Sequence, residues 1–211
     1  MTKPPQAPWP DCADGWQIGA TQRAAIALAH ATPPRAYHSL EHVFEVLEHY
    51  RGVAAGPGWR QPREVYLAVC YHDAIYVAGR SDNEALSADL ARAQIAQFLP
   101  GQGIDVARVV QLIELTALHG KLSSADLDAE AARFIDCDMA ILGADAARFD
   151  RYDAAIALEY RDVVPAFVLR FKRRQFLRVL LAKPRIYLSD YGHARWDTAA
   201  RANLRRALSA P

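Results

Sequence analysis

The sequence has no excess of charge of either sign, with 25 lysines and arginines against 24 aspartates and glutamates. Without a basic surplus there is no general electrostatic case for a nucleic-acid partner or an anionic membrane. Paired cysteines are lacking too. The three present, Cys12, Cys70 and Cys137, are odd in number and share no motif spacing. A disulfide framework is thereby excluded, and a reducing cytoplasm is the expected setting. No apolar run approaches the ~18 residues of a membrane span. The longest, 176–182, is broken by Arg178 and stops at Lys183-Pro184. The N-terminus carries prolines where a secretory signal needs an apolar core. There is no internal repeat, and no alternation of apolar and polar residues between hairpin turns.

What is present is helical periodicity. The expected architecture is all-α, a bundle of about eight or nine helices in one domain over 16–211, after an extended proline-rich arm over 1–15. An Ala-rich helix is expected over 16–31, stopped by Pro33-Pro34. Ser39 is a candidate N-cap for the next helix, which the loop 52–58 should end. Pro62 suits the first turn of a third helix running to Tyr76. Ser81 and Glu84 have the spacing of a capping box opening a fourth helix, to Phe98. Further helices are expected over 104–118, 127–139, 144–160, 165–182 and 194–208. Cys70 and Cys137 fall in apolar runs and should be buried thiols.

Against this scaffold stand imidazoles and carboxylates in the order His, His-Asp, His, Asp. His38 and His42 lie in Tyr37-His-Ser-Leu-Glu-His42. His72 and Asp73 close the run Val65-Tyr-Leu-Ala-Val-Cys-Tyr71. His119 ends an apolar helix, and Asp136 and Asp138 flank Cys137. On a helix, His38 and His42 share a face, whereas His72 and Asp73 point roughly 100° apart. A buried carboxylate must meet a cation or hydrogen-bond donors. The set as a whole, nitrogen and oxygen donors mixed, suits a divalent metal.

The order and spacing of these residues resemble the HD superfamily of metal-dependent phosphohydrolases, from the first histidine through the His-Asp doublet to a distant aspartate. The pattern Arg35-x-Tyr-His-x-x-x-His42, Tyr71-His-Asp-x-x-Tyr76, Asp82-Asn-Glu-x-x-Ser-Ala88 and Asp136-x-Asp-x-x-Ile-Leu-Gly143 is similar to a bacterial subgroup of predicted HD phosphohydrolases. The resemblance covers about 37–187. It implies an all-helical fold and a divalent ion (Mn, Fe, Zn, Co, Ni or Mg) held by His42, His72, Asp73 and Asp138. Asp136 is the alternative to Asp138. The Tyr37-His38-x-x-x-His42 cluster is also similar to cyclic-nucleotide phosphodiesterases, and that similarity puts His38 in the general-acid role.

The implied reaction is hydrolysis of a small phosphate ester, a nucleotide or a related compound, by metal-activated water. Asp73 would orient the water and His38 would protonate the leaving oxygen. Arg35 is the first candidate for the phosphate, with Lys121 and His119 behind it. Glu84 is either a capping residue or a carboxylate near the water. His119 could serve a second metal, the phosphate or the fold alone. Two other classes stay open: a non-catalytic metal or nucleotide-binding module, and a metal-dependent oxygenase on the same scaffold. The basic run Arg170, Lys172, Arg173, Arg174, Arg178 reads as a solvated helix face or a phosphate contact. The expected partners are a small phosphorylated substrate, with no membrane and no nucleic acid. A second copy of the chain could cover apolar surface on the last two helices.

Overall fold

A computed structural model describes residues 9–209. Among the described residues the regular structure is entirely helical, as expected. The α-helices are α1 Ala20–Ala29, α2 Leu40–Ala54, α3 Pro62–Tyr71, α4 Asn83–Phe98, α5 Val106–Thr116, α6 Ala129–Asp138, α7 Ala146–Glu159, α8 Ala166–Ala182 and α9 Asp190–Ser209. Two 3-10 turns, Ser124–Asp126 and Met139–Gly143, flank α6. No helix among the described residues is long and apolar enough to cross a membrane.

The third helix is the hub, with α2, α4, α5 and α6 packed against it. Every residue from Glu64 to Tyr71 is buried, which is why this stretch reads as one continuous apolar run. Burial of Val65, Leu67 and Val69 on all sides stabilises the fold by ~1.5–3 kcal/mol each. The polar groups brought inside are satisfied. Glu64 accepts the Asp105 N–H at 3.0 Å, and the Tyr71 hydroxyl donates to Gln94 at 2.9 Å. Cys70 and Cys137 are buried thiols, as expected, and Cys12 is a third. The described part of the expected arm, 9–15, lies on this core. Trp9 donates to the Tyr66 hydroxyl at 2.7 Å, and Cys12 meets that of Tyr50 at 3.1 Å. The rest of the arm, 1–8, lies outside the described residues.

Several expected boundaries are corrected. Helix α1 spans only Ala20–Ala29. Helix α2 runs through Gly52 to Ala54, beyond the expected loop start. A side chain at 52 would lie 2.9 Å from the Tyr191 hydroxyl, so the glycine serves helix packing. Helix α3 stops at Tyr71, five residues short of Tyr76. Nδ1 of His72 takes the Val69 carbonyl at 2.9 Å, the acceptor that the N–H of residue 73 would need to extend the helix. The side chain of Ser87 then holds both the N–H and the C=O of Ile75, at 3.0 and 3.1 Å.

The expected capping box of Ser81 and Glu84 is not formed. Asp82 is the N-cap, without a side-chain cap bond. Asn83 instead turns back to the N–H and C=O of Val77, both at 3.0 Å. Helix α9 begins at Asp190, four residues early, because the Ser189 hydroxyl accepts the Gly192 N–H at 3.0 Å.

Candidate metal centre

The end of α3, the start of α2 and the end of α6 meet at one point. Nε2 of His72 lies 3.3 Å from Nε2 of His42 and 3.1 Å from Asp73 Oδ2. Asp138, the last residue of α6, brings Oδ1 to 3.0 Å from His42 Nε2 and 3.4 Å from His72 Nε2. His42 Nε2 is 3.6 Å from Asp73 Oδ2. His42, His72 and Asp73 offer ligand atoms within 4.8 Å of one another. His119, in the turn after α5 rather than at its end, donates through Nε2 to Asp138 Oδ2 at 2.7 Å.

The chemistry of this donor set fits a divalent cation. Among the described residues the acceptor at His72 Nδ1 is the Val69 carbonyl oxygen, so Nδ1 carries the proton and the Nε2 lone pair of the neutral ring is left toward the cluster. Two imidazole nitrogens therefore face each other at 3.3 Å between two carboxylates. Donor atoms bound at ~2.1 Å lie ~3.0 Å apart in an octahedron and ~3.4 Å apart in a tetrahedron, against the 3.0–3.6 Å seen here. The electrostatics agree. Burial disfavours a charged His72, yet the Asp73 and Asp138 carboxylates outweigh it and hold its pKa well above the usual range. Burial likewise works against the charge on Asp138, and His72 and His119 overcome it, pulling its pKa well below normal. A field that favours a proton here would favour a cation at the same place.

His38 lies beside the cluster, its ring 6.2 Å from that of His42 and stacked on Tyr76 at 4.0 Å. Its Nδ1 meets Glu159 Oε2 at 2.7 Å. The other oxygen of Glu159 accepts the N–H groups of Ala36, Tyr37 and His38 at 2.8, 2.7 and 3.0 Å. Burial opposes charge on both partners. The neighbouring carboxylates, Asp73 and Glu159, nevertheless raise the His38 pKa, and the His38 hydrogen bond helps pull Glu159 down to about 2. Glu159 was not found from sequence, since a carboxylate ending an amphipathic helix carries no signal for a partner 121 residues away.

The remaining expected residues are distributed unevenly. Asp138 is at the cluster and Asp136 is not. Asp136 accepts the N–H groups of Leu188 and Ser189, both at 2.7 Å, and the Ser189 hydroxyl at 2.6 Å, fixing the approach to α9. Arg35, expected at the phosphate, gives its guanidinium to the carbonyls of His38, Asp73 and Ala74. Glu84 is half-buried in the first turn of α4 and outside the His42, His72 and Asp73 group, while Lys121 is exposed. Among the basic residues of α8, Arg173 pairs with Asp153 at 2.9 Å. Comparisons of the chain with protein-family models, with curated proteins and with solved structures return no significant match.

Proposed function

We propose that the protein is a metal-dependent phosphohydrolase, cleaving a small phosphate ester, a nucleotide or a related compound, in the manner of the HD enzymes its motif order resembles. The observation that carries this reading is the convergence of His42, His72, Asp73 and Asp138 from three separate segments, with the two imidazole nitrogens 3.0–3.6 Å from the carboxylate oxygens on either side. These four side chains would hold the ion, which is one of Mn, Fe, Zn, Co, Ni and Mg. When bound, it supplies an acidified water and a Lewis acid for a phosphoryl oxygen.

The chain's own groups supply the rest. Asp73 would hold the ion and orient the attacking water. His38 is held by Glu159 through Nδ1, which leaves Nε2 as the donor to the leaving oxygen. The same carboxylate favours the protonated ring that a general acid needs at neutral pH. His119, bonded to Asp138, either orients that ligand or meets the phosphate. Three buried free thiols are consistent with a cytoplasmic setting.

The test is phosphate release from a panel of nucleotides and simple phosphate esters, with each metal added in turn, beside Asp73→Ala. Metal-dependent release that the variant lacks is the expected result. No release from any compound, with metal shown to be bound, moves the reading to a binding module or to oxygen chemistry.

A further inference from the structure

Arg35 is the expected phosphate contact that has committed three of its five N–H groups to backbone carbonyls, with Nε buried beside them without a partner. Nη1 donates to the His38 and Asp73 carbonyls, both at 2.7 Å, and Nη2 to the Ala74 carbonyl at 2.9 Å. These acceptors sit on two segments that no regular element joins, the lead into α2 and the turn after α3. One segment carries His38 and the other carries Asp73. Both carbonyl groups of the doublet turn are left over because α3 ends early, and the guanidinium fork matches a divergent set of acceptors that a single ammonium cannot span. Its guanidinium also lies 5.8 Å from the centre of the Tyr76 ring, which stacks on His38.

We infer that Arg35 is a positioning residue, a clamp that sets the proton donor His38 at a fixed place relative to the metal-ligand turn at Asp73, and does not itself bind phosphate. This inference rests on the proposed phosphohydrolase reading and adds a residue to it. A phosphate-binding arginine contributes to substrate affinity. A clamp contributes to the rate of the step that needs the proton, most of all when the leaving group is poor.

The experiment compares Arg35→Lys and Arg35→Ala with the natural chain on two substrates, p-nitrophenyl phosphate and an alkyl phosphate. The expected result is a kcat loss of ~10²-fold on the alkyl ester, a loss several-fold smaller on the nitrophenyl ester, and a KM within about twofold. Guanidinium ion added to Arg35→Ala should restore part of the alkyl-ester rate, and ammonium should not. A raised KM at unchanged kcat overturns the clamp in favour of phosphate binding. An equal loss on both esters, with no guanidinium rescue, overturns it in favour of a purely structural role.

Hydrogen exchange supplies a readout that needs no turnover. In Arg35→Ala the amides of 36–39 and 73–76 should exchange at least tenfold faster together, and guanidinium should slow them together. Unchanged or unlinked exchange overturns the clamp whatever the activity. A natural chain that hydrolyses nothing overturns the phosphohydrolase reading instead, and the exchange data still decide whether Arg35 joins the two segments.

Discussion

Glu159→Gln is the perturbation that most sharply separates a functional His38–Glu159 pair from a passive contact. The carboxylate is fully buried and accepts four hydrogen bonds, three from backbone N–H groups and one from His38. Glutamine is the same size. Its amide oxygen can keep the backbone donors, but its NH2 then faces His38 Nδ1–H, donor against donor. His38 must change tautomer or leave. Losing one charge-assisted bond and the charge behind the other three should cost ~2–4 kcal/mol.

The cost should depend on pH in a defined way. Glu159 has its pKa lowered from 4.5 to about 2, so its contribution is complete above 4.5 and is lost as the pH falls toward 2. His38 has its pKa raised above 6.5, so its share is complete below 6.5 and is lost as the pH rises through the folded value. The stability gap between natural chain and variant should therefore be widest between these limits and shrink on both sides. Urea unfolding of the two proteins at intervals from pH 3.5 to 8.5 reads the gap directly. A gap under ~0.5 kcal/mol, or one that does not change with pH, refutes the reasoning.

The two aspartates of α6 should separate cleanly. Asp138→Asn should lose bound metal with modest loss of stability, whereas Asp136→Asn should keep the metal and lose ~1–3 kcal/mol, since it accepts three donors at the approach to α9. Metal content and urea unfolding of both variants check this. Gly192→Ala should cost ~1–3 kcal/mol or more, because a Cβ there collides with the Asp136 carboxylate. A thermal scan showing an unchanged Tm would contradict that packing.

Much of the fold was legible because helical periodicity and proline stops are local signals. The failures around the doublet share one cause, in which a side chain took a backbone group that a neighbouring turn would otherwise use. His72 took the Val69 carbonyl and ended α3 where the apolar pattern continues. Asn83 and Ser87 turned to Val77 and Ile75, so the box spacing of Ser81 and Glu84 was present without the box. At the site, the grouping of His42, His72, Asp73 and Asp138 was legible through their order along the chain, and the fold brings the four together. Asp136 against Asp138 could not be decided from two carboxylates flanking one cysteine. Helix α6 brings Asp138 to the histidines and Asp136 to the approach to α9. Arg35 was recognised as part of the site, but its backbone acceptors were not legible, because an arginine beside a candidate phosphate site reads the same whether its acceptors are phosphate or backbone. Glu159 was invisible, being defined only by what it meets.

The central claim is that His42, His72, Asp73 and Asp138 hold a divalent cation, and metal content tests it most directly. The chain would be stripped with chelator, dialysed against Mn, Co, Ni or Zn, and analysed for bound metal beside Asp73→Ala and His72→Ala. At least one tightly held ion per chain, lost in both variants while their helical content stays intact, is the predicted result. No tightly held ion in the natural chain, or equal metal in the variants, would contradict the account.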